Sequence, residues 1–206
     1  MIDNYFRSKL PSYTQGLTNL FVRKGITPNQ ITLAALGISI VASVSIAGGL
    51  YTLAVIIWWI GRFLDGMDGI LARKTNSATP FGAYLDIVCD MAAYGIMILG
   101  FSAAFSHLNW GWLVILFLYI LCITSALALG NMEAEKGIDP SDNRGLRLGA
   151  GLAEAGETGI AYTLMLLFPS YISFWVVLWI IVLAATVGFR SKLAYQIFKT
   201  AQSPKN

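Results

Sequence analysis

The chain has 206 residues, of which 56% are hydrophobic and only 12% charged, and its mean hydropathy is +0.66. Soluble domains carry roughly 25% charged residues, so this composition excludes a soluble enzyme and a disordered protein and predicts an all-α integral membrane bundle. The formal net charge of +3 is small, so where the charges sit matters more than their sum. Cys89 and Cys122 lie inside apolar runs, where free buried thiols are expected rather than a disulfide or a metal-binding pair.

Residues 2–21 come first. Ile2, Tyr5, Phe6, Leu10, Tyr13, Leu17, Leu20 and Phe21 recur at helical spacing, interrupted by Pro11. This pattern fits an amphipathic segment lying on the membrane surface, and equally a face packed against the bundle. No signal peptide is expected, because the first long apolar run begins near residue 30. A bilayer core needs about 20 apolar residues per helix. On that scale six spans are predicted at 30–49, 51–72, 81–106, 110–132, 148–168 and 171–189. The chain thus divides into a juxtamembrane amphipathic segment (1–29), a six-helix transmembrane domain (30–190) and a tail (191–206). Thirteen of the fourteen Lys and Arg residues fall on one side of these spans, the exception being Arg62 inside the second. The positive-inside rule makes that side, with both termini, cytoplasmic, and the setting is the cell (inner) membrane.

Four acids stand inside spans two and three: Asp65, Asp68, Asp86 and Asp90. Each costs about 2.5–3.5 kcal/mol at the centre of a membrane helix, so the set needs an offsetting partner. Asp65 and Asp68 share one helix face, and Gly82, Asp86 and Asp90 form another stripe. Counted from Arg73 and Phe81, Asp68 and Asp86 lie about 7.5 Å deep, and Asp65 and Asp90 about 12–13.5 Å. Antiparallel helices would bring the two pairs face to face. Such a cluster suits hard divalent cations and phosphoryl transfer. Gly66, Gly69, Ala72, Gly82 and Ala83 clear space around the acids, and Arg73 stands where a phosphate could be held.

Asp65-Gly-Met-Asp68-Gly69-Ile-Leu-Ala72-Arg73, followed by Gly82, Asp86 and Asp90, resembles the signature of the CDP-alcohol phosphotransferase (CDP-alcohol phosphatidyltransferase) family at all eight positions. The resemblance implies a phospholipid-synthesising transferase that moves a phosphatidyl group from CDP-diacylglycerol to a small alcohol and releases CMP. It implies that Asp65, Asp68 and Asp86 bind one or two Mg²⁺ or Mn²⁺ ions. Asp90 would be the general base, in reach of the second ion as well. Gly69, Ala72 and Gly82 would make room for the cytidine, Arg73 would hold the diphosphate, and Asn29 after Pro28 matches a pair near the family's donor site. Membrane lipids and a homodimer are the other expected partners, and no nucleic acid is. The lone histidine, His107, falls in a turn on the predicted opposite side, which disfavours it as nucleophile or base.

Other charged positions keep two readings each. Arg62 pairs with a neighbouring carboxylate, as a structural bridge or as part of the site. Glu154 and Glu157 share a face of the fifth span and either line the cavity or brace an arginine. Arg144, Arg147 and Arg190 either form a pocket for a phosphorylated polyol acceptor, inositol phosphate or glycerol phosphate, or are topology charges at the lipid headgroups. With the second reading the acceptor would be a free alcohol: serine, inositol, choline or ethanolamine. An ion or proton transporter is the competitor from another class, disfavoured because all four acids sit in one half of the membrane. A prenyltransferase is disfavoured because both acid pairs fall within residues 65–90.

Overall fold

The computed structural model describes residues 14–135 and 155–202, all in helices and short connections. Residues 14–23 form helix α1. There follow α2 (Pro28–Ala47), α3 (Tyr51–Lys74), α4 (Pro80–Ala104), α5 (Asn109–Glu135), α6 (Ala155–Leu167) and α7 (Ile172–Gln202). Helices α2 to α7 overlap the six predicted spans, residues 148–154 of the fifth lie outside the described residues, and α7 runs on well past residue 189 into the tail. Among the described residues, four stretches are long and apolar enough to cross a membrane: Pro28–Ala47, Pro80–Ala104, Ser106–Met132 and Pro169–Gln196. Helix α3 falls short on composition, because Arg62, Asp65, Asp68, Arg73 and Lys74 crowd its second half. Helix α6 is described over 13 residues only.

The connections show why the helices end where they do. Gly25 at φ +67 and Gly49 at φ +76 adopt the left-handed conformation. The next residues close back over the helix, Ile26 N–H to Phe21 O at 3.0 Å and Leu50 N–H to Ser45 O at 2.9 Å. Asn76 does the same for α3 at φ 51, with Ser77 N–H donating to Ala72 O at 2.9 Å. Helix α2 then starts on a reciprocal cap between Thr27 and Gln30, and Thr79 Oγ1 accepts from Gly82 N–H to start α4. These caps set the short, antiparallel α3–α4 hairpin on which the site depends.

Helix α2 packs on both α3 and α4, α5 on α7, and α3 on α6. Close approach needs small residues. At Gly100 an added Cβ would lie 2.6 Å from the Ser43 carbonyl oxygen, and at Gly61 3.3 Å from Ile38. The core is rich in rings: Trp58, Phe101, Trp112 and Tyr162 are nearly or wholly shielded. Phe101 stacks on Trp112 with centroids 5.3 Å apart. Leu113, Val114, Phe117 and Ile120 of α5 instead point outward, as side chains facing lipid do. In α1 the inward residues are Thr14 and Thr18, while Leu20 is 44% exposed. That helix touches the bundle through Lys74 Nζ, which donates to Asn19 Oδ1 at 2.5 Å.

Candidate active site

The α3–α4 hairpin brings three of the four acids together. Carboxylate oxygens of Asp65, Asp68 and Asp86 lie within 4.8 Å of one another. Asp68 is 8% exposed and its position is fixed from two directions. Thr32 Oγ1 of α2 donates to Oδ2 at 2.5 Å, and the Gly69 N–H donates to Oδ1 at 2.5 Å. Three hard oxygen donors at this separation fit a divalent cation such as Mg²⁺ or Mn²⁺. The remaining acid is engaged otherwise. Asp90 accepts from Arg62, whose Nη1 also lies 3.5 Å from Asp65. The deeper acids, Asp65 and Asp90, are therefore joined through an arginine at their common level.

The acids open into a recess of about 50 Å³ lined by Asp65, Gly66, Asp68, Gly69, Ile70, Arg73 and Asp86. A second recess of about 390 Å³ is lined by Gln15, Thr18, Ile70, Arg73 and Lys74. Ile70 and Arg73 border both, so the two are neighbours and α1 walls the larger one. The missing side chain at Gly69 is where Arg73 lies: a Cβ there would sit 3.4 Å from Nη1. Gly82 faces Asn29 in the same way, with a Cβ 3.3 Å from Asn29 Oδ1 and 3.2 Å from Thr79 Oγ1. Asn29 of α2 thus stands beside Gly82 of α4, and Ala72 is half-buried one turn after Asp68.

Arg190 is 5% exposed on α7 and donates from Nη1 to the Cys122 carbonyl of α5 at 2.7 Å. It sits between these helices rather than on the outside. Arg144, Arg147 and Glu154 lie outside the described residues. Glu157 has a buried Oε2 with no hydrogen-bond partner among the described residues. His107 is in the 3₁₀ turn Ser106–Leu108 at the other end of α4, and both cysteines are free and buried.

Two features escaped the sequence. Thr32 becomes visible only when the α2–α3 contact is known, although a polar residue three after Asn29 on an apolar helix is a hint. The aromatic surroundings of Arg62 also depend on packing between helices: its guanidinium carbon lies 4.8 Å from the Trp58 ring centroid and 5.4 Å from that of Tyr94.

A bundle of apolar helices with an acid trio beside a small recess bordered by Arg73 is the framework of a membrane-embedded metal site, and the comparisons give its class. The model of the CDP-alcohol phosphatidyltransferase family matches residues 25–189. The chain is 31% identical over 176 residues to the inner membrane protein YnjF of Escherichia coli K12, covering 83% of this chain and 84% of that protein. It is 29% identical over 155 residues to the phosphatidylinositol phosphate synthase of Mycobacteroides abscessus, covering 73% of this chain. Over 96 residues, 47% of this chain, it is 33% identical to the archaetidylinositol phosphate synthase of Pyrococcus horikoshii. It spans 66% and 51% of the lengths of these two synthases. The fold is that of the Mycobacterium tuberculosis phosphatidylinositol phosphate synthase crystallised with CDP-DAG bound, with TM-score 0.66, 19% identity and coverage of 88% of this chain and 93% of that one. The same enzyme has been crystallised with manganese and citrate, with TM-score 0.66, 18% identity and 88% of each chain covered. The chain belongs to the CDP-alcohol phosphatidyltransferase family, and it is a transferase of the membrane.

Proposed function

We propose that this protein transfers a phosphatidyl group from CDP-diacylglycerol to a phosphorylated polyol, inositol phosphate or glycerol phosphate, and releases CMP. The observation that carries the reading is the convergence of Asp65, Asp68 and Asp86 within 4.8 Å at a recess bordered by Arg73. One or two Mg²⁺ or Mn²⁺ ions held by these acids, with Asp90 in reach of the second, would neutralise the diphosphate and its leaving group. Arg73 pairs with a phosphate of the donor. Gly69, Ala72 and Gly82 leave the backbone open to the cytidine, and Asn29 offers it a hydrogen bond beside Gly82. Asp90 accepts the proton of the attacking hydroxyl, since it is the acid of the set that lies outside the trio. No covalent intermediate is needed.

A phosphorylated acceptor would draw on Arg190 as one cation of its site, beside the bond that guanidinium makes to the Cys122 carbonyl at 2.7 Å. The names of the inositol phosphate synthases among the relatives point the same way. Arg144 and Arg147 would complete that phosphate site. The Lys and Arg distribution supports a cytoplasmic position for this end of the bundle and for both termini, and the likeness to an inner membrane protein supports that membrane. The organisation as juxtamembrane segment 1–29, catalytic domain 30–190 and tail 191–206, and a homodimeric assembly, complete the proposal. The test is to incubate the purified protein with CDP-diacylglycerol and a panel of acceptors, with Mn²⁺ or with chelator, and weigh the lipid products. Metal-dependent CMP release with inositol phosphate or glycerol phosphate is expected. Release only with serine, inositol, choline or ethanolamine would overturn the acceptor, and no release with any would overturn the reaction.

A further inference from the structure

Arg62 is the feature that neither the acid trio nor the donor recess explains. It sits one turn before Asp65, with its side chain 8% exposed. Its cation lies over two ring faces, Trp58 at 4.8 Å and Tyr94 at 5.4 Å. Those rings are themselves fixed. Trp58 is fully buried and packs against Tyr162 with centroids 5.4 Å apart. Tyr162 hydrogen-bonds the Tyr94 carbonyl at 3.0 Å and the Tyr119 hydroxyl at 2.8 Å. Tyr119 in turn accepts from Trp179 Nε1 at 2.9 Å. A chain of buried and part-buried polar contacts through α4, α5, α6 and α7 thus backs the rings against which Arg62 rests.

We propose that Arg62 is a positioning residue for Asp90: clamped between Trp58 and Tyr94, its guanidinium holds the Asp90 carboxylate at one place and angle beside the acid trio. Three points support this over a plain structural bridge. A buried ion pair adds little net stability over apolar packing of similar volume, and the surrounding rings already pack closely. A planar guanidinium can lie against aromatic faces and bond carboxylates along its edge at once, which an ammonium cannot. The arginine touches both Asp90 and Asp65, so it sets the distance between the acid inside the trio and the acid outside it. The kinetic consequence rests on the transferase reading above; the pairing itself does not.

The test uses the full chain in detergent, comparing Arg62→Met, Arg62→Lys, Asp90→Asn and the Arg62→Met/Asp90→Asn double variant. In chelator, Arg62→Met should lower the melting midpoint by roughly 5–15 °C, since it strands a buried carboxylate. Adding Asp90→Asn should restore at least half of that loss. Turnover of Arg62→Met should fall about a hundredfold, as for a misplaced catalytic group. Its KM for CDP-diacylglycerol should change less than about threefold, because the hydrogen bond lost is the one to Asp90, outside the acid trio. Arg62→Lys should recover part of the rate, and the double variant should be no slower than Asp90→Asn alone. A double variant that melts as low as Arg62→Met, or an Arg62 variant with wild-type turnover, would overturn the proposal. If Arg62→Met does not fold, Arg62→Lys with and without Asp90→Asn gives the same comparison. If the wild type releases no CMP, the transferase reading fails while the melting rescue still decides the pairing.

Discussion

Helices α3 and α5 are built on the same seam and use it for opposite ends. In α5 the inward residues Trp112, Ile115, Tyr119, Cys122, Ala126 and Leu129 follow a three–four spacing, and they are buried or packed on the core. That is the pattern of knobs facing a neighbouring helix. In α3 the same spacing runs through Ala54, Trp58, Gly61, Asp65, Asp68 and Ala72. Its first three positions pack as those of α5 do, and its last three carry carboxylates and a small residue. Helix α4 behaves likewise, passing from Gly82, Asp86 and Asp90 to Ala93, Met97 and Gly100. A site in a membrane bundle can thus be made without leaving the packing register, by exchanging apolar knobs for acids over the turns at one end of each helix and putting glycines where bulk would block access. The cost of desolvating the acids is met locally, by Arg62 on the deep side and by Thr32 and the Gly69 N–H on Asp68.

If the seam is divided this way, the largest effect should come from its acidic end. Asp68→Asn or Asp86→Asn keeps size and removes a charge from a crowded set, so folding should survive. Loss of several kcal/mol of transition-state stabilisation corresponds to roughly a thousandfold drop in CMP release at saturating Mn²⁺. Near-normal initial rates in either variant would put the chemistry elsewhere. At the packing end the effect should reverse. Gly100→Ala would drive a Cβ to 2.6 Å from the Ser43 carbonyl and 3.0 Å from its Cα, backbone atoms that cannot turn aside. It should cost about 1–3 kcal/mol of stability, read as a lowered melting midpoint in detergent, with KM values unchanged in whatever folded protein remains.

Much of this division could be read from residues 65–90, because spacing along a helix fixes which side chains share a face. The α3–α4 hairpin and the meeting of Asp68 with Asp86 follow from that arithmetic alone. What spacing could not supply was the third helix. Thr32, the rings around Arg62 and the place of Asn29 beside Gly82 depend on how α2, α4 and α6 rotate against α3, and a uniformly apolar helix such as α2 carries little periodicity to say so. The same lack of pattern hid the position of Arg190. Its place in the chain left a pocket cation and a headgroup cation both open, and only the structure shows it buried against the Cys122 carbonyl between α5 and α7.

Arg190 also tests whether the α5–α7 half is only scaffold. If its guanidinium pairs with the acceptor phosphate, Arg190→Ala should raise the acceptor KM about tenfold or more, the worth of one charge-assisted hydrogen bond, and leave donor KM unchanged. A lowered melting midpoint with unaltered acceptor KM would make it a brace for the Cys122 carbonyl and return α5–α7 to pure packing.

The smallest effect is expected where the two halves of α4 are matched most closely. Gly82→Ala makes the same chemical change as Gly100→Ala, but its Cβ would meet side-chain oxygens, Thr79 Oγ1 at 3.2 Å and Asn29 Oδ1 at 3.3 Å. Side chains can yield by a few tenths of an ångström where backbone cannot, so the melting midpoint should move by less than about 2 °C, equivalent to under 1 kcal/mol. The displaced Asn29 amide and the added methyl would instead intrude on the donor site, and KM for CDP-diacylglycerol should rise about three- to fivefold, again under 1 kcal/mol. Measured side by side, the two alanines should give opposite pairs of results, one melting early with normal KM and one melting normally with raised KM. A Gly82→Ala protein that lost stability and kept its donor KM would show that this end of α4 is packed like the other, and that the space beside Asp86 serves the helices rather than the cytidine.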